Sequence, residues 1–470
     1  MLRRLLESSR FYFVLAAVLA VVLLWTQVEL RLPPRPRGAV GDIPALASRD
    51  DVNLVFFLID TLRADRLSAY GYERETSPTM DFLAKSGIRF AKVGSQSSWT
   101  KASMASLWTS TWPQRTGILR WAHALPPEAQ MPAEVLQASG FRTAGVIRNG
   151  WVDANFGFHQ GFDTYVHAGR SAAPPNFQQK VPVERRLVGT DESITNSAIE
   201  FLRNRGNERF FLYLHYMDVH QYAFDESSAR FGTAYSDSYD NAIGWVDRNL
   251  AAVLNQLAEQ DIWRRTIVVV ASDHGEGFRE HGKEGHARTL YREVTDVPWI
   301  VALPFELPEG VVVEQPVANV DIWPTLFDLL GIAYDEGRID GRSALPLITA
   351  AAGGSAPAPA ERPIFAQLDR SWGRPKAGPD PLVAVTLGPY RVIREVNGTG
   401  PNDEIFDVRT DPGEQKRLAR EKVPELLPEL DAAVSGYLAS DSPPWGAPPA
   451  EVELDEMQLG QLRALGYVVK

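Results

Sequence analysis

The stretch Thr266–His286, TIVVVASDHGEGFREHGKEGH, decides the fold. Its β-branched apolar start, Ile267 to Val270, has the pattern of a strand buried on both faces. The run breaks abruptly into Asp273-His274-Gly275-Glu276. In open α/β sheets, chemistry gathers beyond the carboxyl ends of the strands. An Asp beside a His, released there by a Gly, offers an oxygen and a nitrogen to one cation. His281 and His286 follow, and His215 and His220 form a second small group, so most of the chain's 8 histidines fall in two short segments. Histidines scattered over a solvated surface do not cluster in this way.

Outward from this stretch, other apolar runs end on polar residues. Val52–Ile59 ends on Asp60, Thr143–Ile147 on Arg148-Asn149-Gly150, and Phe210–His215 on Tyr216 to His220. Val297–Leu303 reads as a further buried strand. Helices are predicted over Thr79–Lys85, opened by Ser77-Pro78 and stopped by Gly87, and from Thr100 onward, where Met104, Leu107 and Trp108 keep helical spacing. Three more are predicted over Glu192–Asn204, Tyr239–Leu257 and Asp321–Leu330. Strands alternating with helices predict an α/β/α layered domain. Residues 168–190 have little periodicity and read as a long loop. Residues 350–363 form a low-complexity hinge, and the alternating runs Leu382–Thr386, Tyr390–Arg394 and Glu404–Asp407 predict a small β subdomain. The expected organisation is therefore a stub and anchor over 1–28, a linker over 29–50, a catalytic domain over 51–349, a hinge over 350–363, a β subdomain over 364–430 and a helical tail over 431–470.

Composition narrows the function. A net charge of -11 excludes a nucleic-acid role, which demands concentrated Lys and Arg. The chain has no cysteine, so disulfides, thiolate metal sites and a cysteine nucleophile are excluded. Phe11 to Val28 runs without a charge after Arg3, Arg4 and Arg10, long enough to span a bilayer. A cleaved leader is the competing reading, but the nearby A-x-A sequence, Ala45-Leu46-Ala47, lies far past the apolar run. The expectation is a retained single-pass anchor with the bulk of the chain extracytoplasmic, in the periplasm or outside the cell.

Asp60, Asn149, Asp218, His220, Asp273 and His274 all lie at strand ends and can converge in a layered sheet. With Thr100 at a helix N-terminus they compose a metal-assisted displacement site. A divalent cation held by Asp60, Asp273 and His274 lowers the pKa of the Thr100 hydroxyl, and the helix dipole favours an anionic substrate. His220 or His286 then protonates the leaving oxygen or clamps the anion. The mixed donors suit Mn, Zn, Mg or Ca. Lys101 either activates Thr100 or points to water. His215 reads as a satisfied core histidine, Asp65 as structural, and Glu276 and Glu280 as solvated or helix-start charges.

Several blocks resemble the alkaline phosphatase/sulfatase superfamily: LVFFLIDTLRADRLSAYGYERETSPTMDFLA, SSWTKASMASLWTSTWPQRTGI, FLYLHYMDVHQY, SDHGEGFREHG, DIWPTLFDLLGI and EIFDVRTDPGEQKRLA. The resemblance implies an alkaline-phosphatase-like α/β/α sandwich around a large mixed, mostly parallel sheet. It implies one divalent metal at Asp60, Thr100, Asp273 and His274, with Thr100 as nucleophile. It places His220 and His286 as substrate-contacting catalytic histidines, and Asn149 or Arg148 in another substrate-contact block; Lys101 is a candidate substrate contact through its place beside Thr100. Sulfatases of this family mature a Cys or Ser to formylglycine in a context with a downstream Arg; here Thr100, Ala102 and Met104 stand instead. The family's paired N-terminal aspartates are reduced to Asp60-Thr61. Threonine branches resemble phosphoethanolamine and phosphoglycerol transferases, so the expected activity is cleavage of a phosphate or sulfate ester, with phosphoester chemistry preferred. The alternatives are a sulfatase working without formylglycine and a non-catalytic anion-binding module. The expected partner is an anionic ester on a small molecule, lipid head group or glycan.

Overall fold

The computed structural model describes residues 35–168, 190–354, 358–374, 376–397, 403–423, 427–454 and 460. The anchor expected over Phe11–Val28 lies outside these residues, as do nearly all of the 168–190 loop and the last part of the tail. Among the described residues no helix is long and apolar enough to cross a membrane.

An eight-stranded sheet forms the centre. Its strands are β1 (Asn53–Ile59), β2 (Ile88–Phe90), β3 (Arg142–Ile147), β4 (Thr164–His167), β5 (Phe210–Tyr216), β6 (Thr266–Ala271), β7 (Trp299–Ala302) and β8 (Val311–Val313). They lie in the order β8-β2-β7-β6-β1-β5-β3-β4. Only β7 runs antiparallel to its neighbours, so the sheet is mixed and mostly parallel. β1, β5 and β6 are buried along their whole length, which explains why they read as unbroken apolar runs rather than alternating ones. Strands β2, β4 and β8 escape the sequence pattern because each is only three or four residues long.

Helices cover both faces. On one, α2 (Thr100–Thr109) and α5 (Ile322–Leu330) press Trp108 and Trp323 against Phe56 of β1. Trp108 and Trp323 stack at 5.1 Å, Phe56 and Trp323 at 5.4 Å, and Tyr213 of β5 meets Trp108 edge-on at 4.8 Å. These rings are almost wholly buried and fix α2 over the sheet centre. On the other face lie α1 (Pro78–Ser86), α3 (Asp191–Arg205) and α4 (Tyr235–Glu259). Thr195 of α3 bonds the Tyr216 hydroxyl at 2.8 Å. Asp247 of α4 accepts the Thr79 and Met80 N–H groups, each at 2.9 Å, and so caps α1 in place of Ser77.

Strands β9 (Ile364–Asp369), β10 (Pro381–Leu387), β11 (Tyr390–Glu395) and β12 (Glu404–Asp407) form an antiparallel meander, with helix α6 (Leu427–Ala439) against it. The runs Leu382–Thr386, Tyr390–Arg394 and Glu404–Asp407 fall on three of these four strands. The meander is not separated from the catalytic body by a free hinge: Ala366, Leu368, Leu382, Ile393 and Phe406 belong to the main core. The linker expected over 29–50 is likewise corrected from Arg35 onward. Ile43 and Leu46 enter the core, and the buried Arg35 guanidinium donates to the Leu303 carbonyl at 2.7 Å and to Ser86 Oγ at 2.6 Å. A Pro/Ala-rich composition masked those two apolar anchors.

Candidate metal centre and active site

The register of the three central strands sets the site. Leu58 of β1 lies level with His215 of β5 and with Ala271 of β6, so the residues just beyond each strand meet at one edge. Asp60 follows β1 directly, its N–H bonding the Tyr216 carbonyl at 2.9 Å. Thr61 turns the chain with φ 61°, a left-handed conformation that costs a β-branched residue about 1–2 kcal/mol. The turn is held on three sides. Thr61 N–H donates to Asp273 Oδ1 at 3.2 Å, its hydroxyl to the Asp60 carbonyl at 2.6 Å, and the Tyr239 hydroxyl to the Thr61 carbonyl at 2.6 Å. Gly275 is needed for close approach, because a Cβ there would stand 2.2 Å from the Glu293 carbonyl oxygen.

Asp60, Asp273 and His274 converge within 4.8 Å of one another and are fully buried. Thr100, the first residue of α2, is also fully buried, with Oγ1 3.1 Å from His274 Nε2. His274 Nε2 lies 3.3 Å from Asp273 Oδ2 and 4.0 Å from Asp60 Oδ1. Four ligands about 2.0 Å from a cation sit roughly 3.3 Å apart in a tetrahedron, so the 3.1 and 3.3 Å spacings fit a coordination shell and the 4.0 Å spacing is wider. Two further observations fit a cation. Asp60 Oδ1 and Asp273 Oδ2 are buried and accept no hydrogen bond from the described residues. His274 Nδ1 faces the Gly275 carbonyl at 3.0 Å, which places the ring proton on Nδ1 and the free lone pair on Nε2, toward the carboxylates.

The electrostatics agree. Burial and the Asp60 charge push the Asp273 carboxyl up from its ordinary range. Burial acts on Asp60 in the same sense but is outweighed by the His215 hydrogen bond and the nearby imidazoles, so Asp60 ends low. Burial lowers His274 and keeps it neutral, the form that ligates. The site thus holds one firm anion and a second that resists ionising without a counter-charge.

Asp60 Oδ2 is fixed by Asn149 Nδ2 at 2.6 Å and His215 Nε2 at 3.1 Å, and His215 Nδ1 meets the Tyr213 hydroxyl at 2.7 Å. His215 is therefore no inert core histidine: it orients a metal-facing carboxylate. Its signal was its place in an all-apolar strand, at the edge where the other polar residues gather. Ser103 also exceeds a helix-local role, its hydroxyl donating to the Asp273 carbonyl at 2.5 Å.

His286 and His220 line the opening. The His286 ring lies 4.6 Å from His274 and 4.9 Å from His220. Burial opposes charge on His286, yet the Glu276 carboxylate, 3.3 Å from Nδ1, outweighs it and raises the imidazole. His220 ends low, because burial outweighs the pull of the Asp60 and Glu276 carboxylates. Glu276, expected to be solvated, is 3% exposed and serves His286. His281 leaves the cluster: it stacks on Tyr291 at 3.7 Å and bonds Glu293 at 2.8 Å.

Three expected substrate contacts are placed differently. Asn149 turns to Asp60. Arg148 is 5% exposed and engages Asp191 and Asp218. Lys101 reaches neither water nor the carboxylates: its Nζ donates to the Trp121 carbonyl and lies 3.8 Å over the Phe156 ring and 4.9 Å from Trp151, where burial lowers its pKa well below normal. An i+1 residue on a helix points away from its neighbour, so adjacency to Thr100 in sequence does not carry Lys101 into the site.

A profile described as Sulfatase matches residues 52–332. An arylsulfatase of Hemicentrotus pulcherrimus is 25% identical over 336 residues, which cover 62% of this chain and 60% of that protein. Two solved structures share the fold. Ps i-CgsB in complex with k-i-k-neocarrahexaose superposes with TM-score 0.68 at 17% identity, over 89% of this chain and 98% of that one. The phosphonate monoester hydrolase of Agrobacterium radiobacter superposes with TM-score 0.63 at 17% identity, over 86% of this chain and 100% of that one.

The geometry predicts a signed response to metal. Chelator-treated protein given zinc at a hundred times its Kd gains about 2.7 kcal/mol of unfolding free energy. Asp273→Asn abolishes that gain yet leaves the metal-free protein more stable than metal-free wild type, because one of two facing buried charges is gone. Denaturant unfolding with and without metal checks this. Equal destabilisation of both states by Asp273→Asn would contradict a metal role.

Proposed function

Because this chain belongs to the sulfatase family, we propose that it is a metal-dependent hydrolase or transferase that cleaves a phosphate- or phosphonate-type ester through a covalent Thr100 intermediate. The observation that carries the reading is the placement of the Thr100 hydroxyl 3.1 Å from Nε2 of His274, which clusters with two carboxylate oxygens that accept no hydrogen bond among the described residues. A neutral imidazole, two carboxylates and a hydroxyl suit Zn or Mn better than Ca, which takes six to eight oxygens. When bound, the cation supplies a lowered pKa for the Thr100 hydroxyl and screens the negative charge that grows in the transition state.

The chain's own groups supply the rest. Thr100 stands at the start of α2, where N–H groups and the helix dipole favour an anionic group. In the proposed first step the Thr100 oxygen bonds to phosphorus, its proton passing to solvent, while the bond from phosphorus to the alcohol oxygen breaks. His286, whose pKa the Glu276 carboxylate raises, gives that oxygen its proton. Water or a second alcohol then bonds to phosphorus as the bond to the Thr100 oxygen breaks; the incoming group loses its proton to the now neutral His286, and the Thr100 oxygen regains a proton from solvent. His220, neutral and beside His286, contacts the anion.

Threonine at this position supports phosphoester over sulfate chemistry. The chain has no cysteine, and Met104 stands where formylglycine maturation uses an Arg. The arylsulfatase likeness keeps sulfate esters as the second reading. Hydrolysis of matched phosphodiesters, phosphonates and sulfates by the metal-loaded protein decides between them. Phosphorus esters are expected to turn over faster, and a sulfate-only profile overturns the preference. Thr100→Ala is expected to lose about 10³-fold or more in kcat with metal retained, whereas unchanged turnover removes the covalent reading. His286→Gln is expected to cost about 10²–10⁴-fold on alkyl esters and far less on nitrophenyl esters, whose leaving oxygen needs no proton. Equal losses on both would deny His286 the acid role.

The apolar run Phe11–Val28 supports a single-pass anchor carrying the catalytic body outside the cytoplasm. The full-length chain is then expected to stay in membranes through a carbonate wash. Release into the supernatant would sink the anchor.

A further inference from the structure

Two neighbouring residues at the end of β3 act in opposite directions. Asn149 reaches Asp60 at 2.6 Å. Arg148 reaches the other way, with Nη1 3.0 Å from Asp191 Oδ1 and 2.5 Å from Asp218 Oδ1, and Nη2 donating to Gln221 Oε1 at 2.8 Å. Asp191, at the start of α3, accepts the N–H groups of Met217 and Asp218 at 2.8 and 2.7 Å. Asp218 Oδ2 in turn accepts from Asp191 N–H at 2.8 Å and from the Trp245 indole at 2.7 Å. All of these bonds fasten the single turn Asp218–Gln221, which carries His220. One isolated turn has no helical stability of its own, so its geometry is whatever these partners impose.

Asp191 and Asp218 are fully buried and Arg148 nearly so. Taking three charged groups out of water is expensive, and apolar replacements of similar volume are often as stable or more so. Stability therefore does not account for a charged cluster here. What an apolar patch cannot supply is direction. A guanidinium fork bonds along fixed lines, and it does so one residue from the amide that orients Asp60.

We propose that Arg148 is a positioning residue that, through Asp218 and Asp191, sets the distance between His220 and the metal-facing carboxylate Asp60. This rests on reading His220 as the histidine that contacts the substrate anion. The pair Arg148-Asn149 is then a two-way strut from one strand end, with Asn149 bracing the metal side and Arg148 the substrate side. A displacement of His220 by a fraction of an ångström lowers turnover without loosening the metal.

A double-mutant cycle on the metal-loaded full chain tests this. Arg148→Met is expected to lower kcat about 10–100-fold with metal content unchanged. His220→Gln is expected to cost more than about tenfold in wild type but less than about twofold in the Arg148→Met background, where the histidine is already out of place. Arg148→Lys keeps the charge without the fork and restores only part of the loss. The same fold loss for His220→Gln in both backgrounds, or an unchanged kcat in Arg148→Met, overturns the proposal. If Arg148→Met does not fold, the cycle is run with Arg148→Lys under the same criteria. Imidazole NMR gives a readout without turnover: the His220 resonance is expected to move in either variant while that of His274 stays, and a stationary His220 signal also overturns it. Should wild type cleave no ester at all, the proposed function fails, and the imidazole signal still decides this inference.

Discussion

Two carboxylates, Asp60 and Asp273, are buried beside one another with one oxygen each turned to the same point and bonded to nothing among the described residues. Much of the catalytic half exists to hold that arrangement. Two like charges in a low-dielectric interior repel by several kcal/mol and shift toward protonation unless a cation joins them. A fold built only for stability would have filled this edge with apolar side chains. Keeping the pair, with His274 clustered beside it and Thr100 Oγ1 3.1 Å from His274 Nε2, makes sense if a divalent ion completes the group.

The constraint spreads outward. Asp60 cannot leave β1 at the needed angle without the left-handed Thr61, and Thr61 is held by Tyr239 from the opposite helical layer and by Asp273 itself. Thr100 reaches the cluster only because Trp108, two turns along α2, is locked into the Phe56, Tyr213 and Trp323 rings. Removing a buried Trp from such a stack costs about 3–5 kcal/mol, so the aromatic layer ties the site's geometry to the stability of the whole body. His215 and Asn149 then grip the remaining oxygen of Asp60 and leave it one free direction.

The strand framework and the Asp60, Asp273 and His274 cluster were readable because fully buried parallel strands write themselves as apolar runs, and polar residues at their ends stand out. Other features were hidden for physical reasons. His215 lies inside such a run, and only the register between β1 and β5 brings it to Asp60. Glu276 looks like one more charge in a Gly-rich loop until the chain folds back at Gly277 and Gly285 and brings His286 over it. Arg148 and Lys101 are polar and close in sequence to site residues, yet backbone direction at a strand end and on a helix points both elsewhere. Short strands such as Ile88–Phe90 carry too few residues to show a period. The Pro- and Ala-rich segment after Arg35 conceals its two buried anchors, Ile43 and Leu46.

The proposed reaction requires an ordinary threonine alcohol to become the attacking group without any modified side chain. The most direct measurement is the mass of the peptide containing Thr100 after the metal-loaded protein is mixed briefly with a phosphorus ester and quenched in acid. A phosphoryl or phosphonyl increment on Thr100 that decays on the timescale of turnover is expected. Rapid turnover with Thr100 never modified, and an increment on another residue instead, would contradict it.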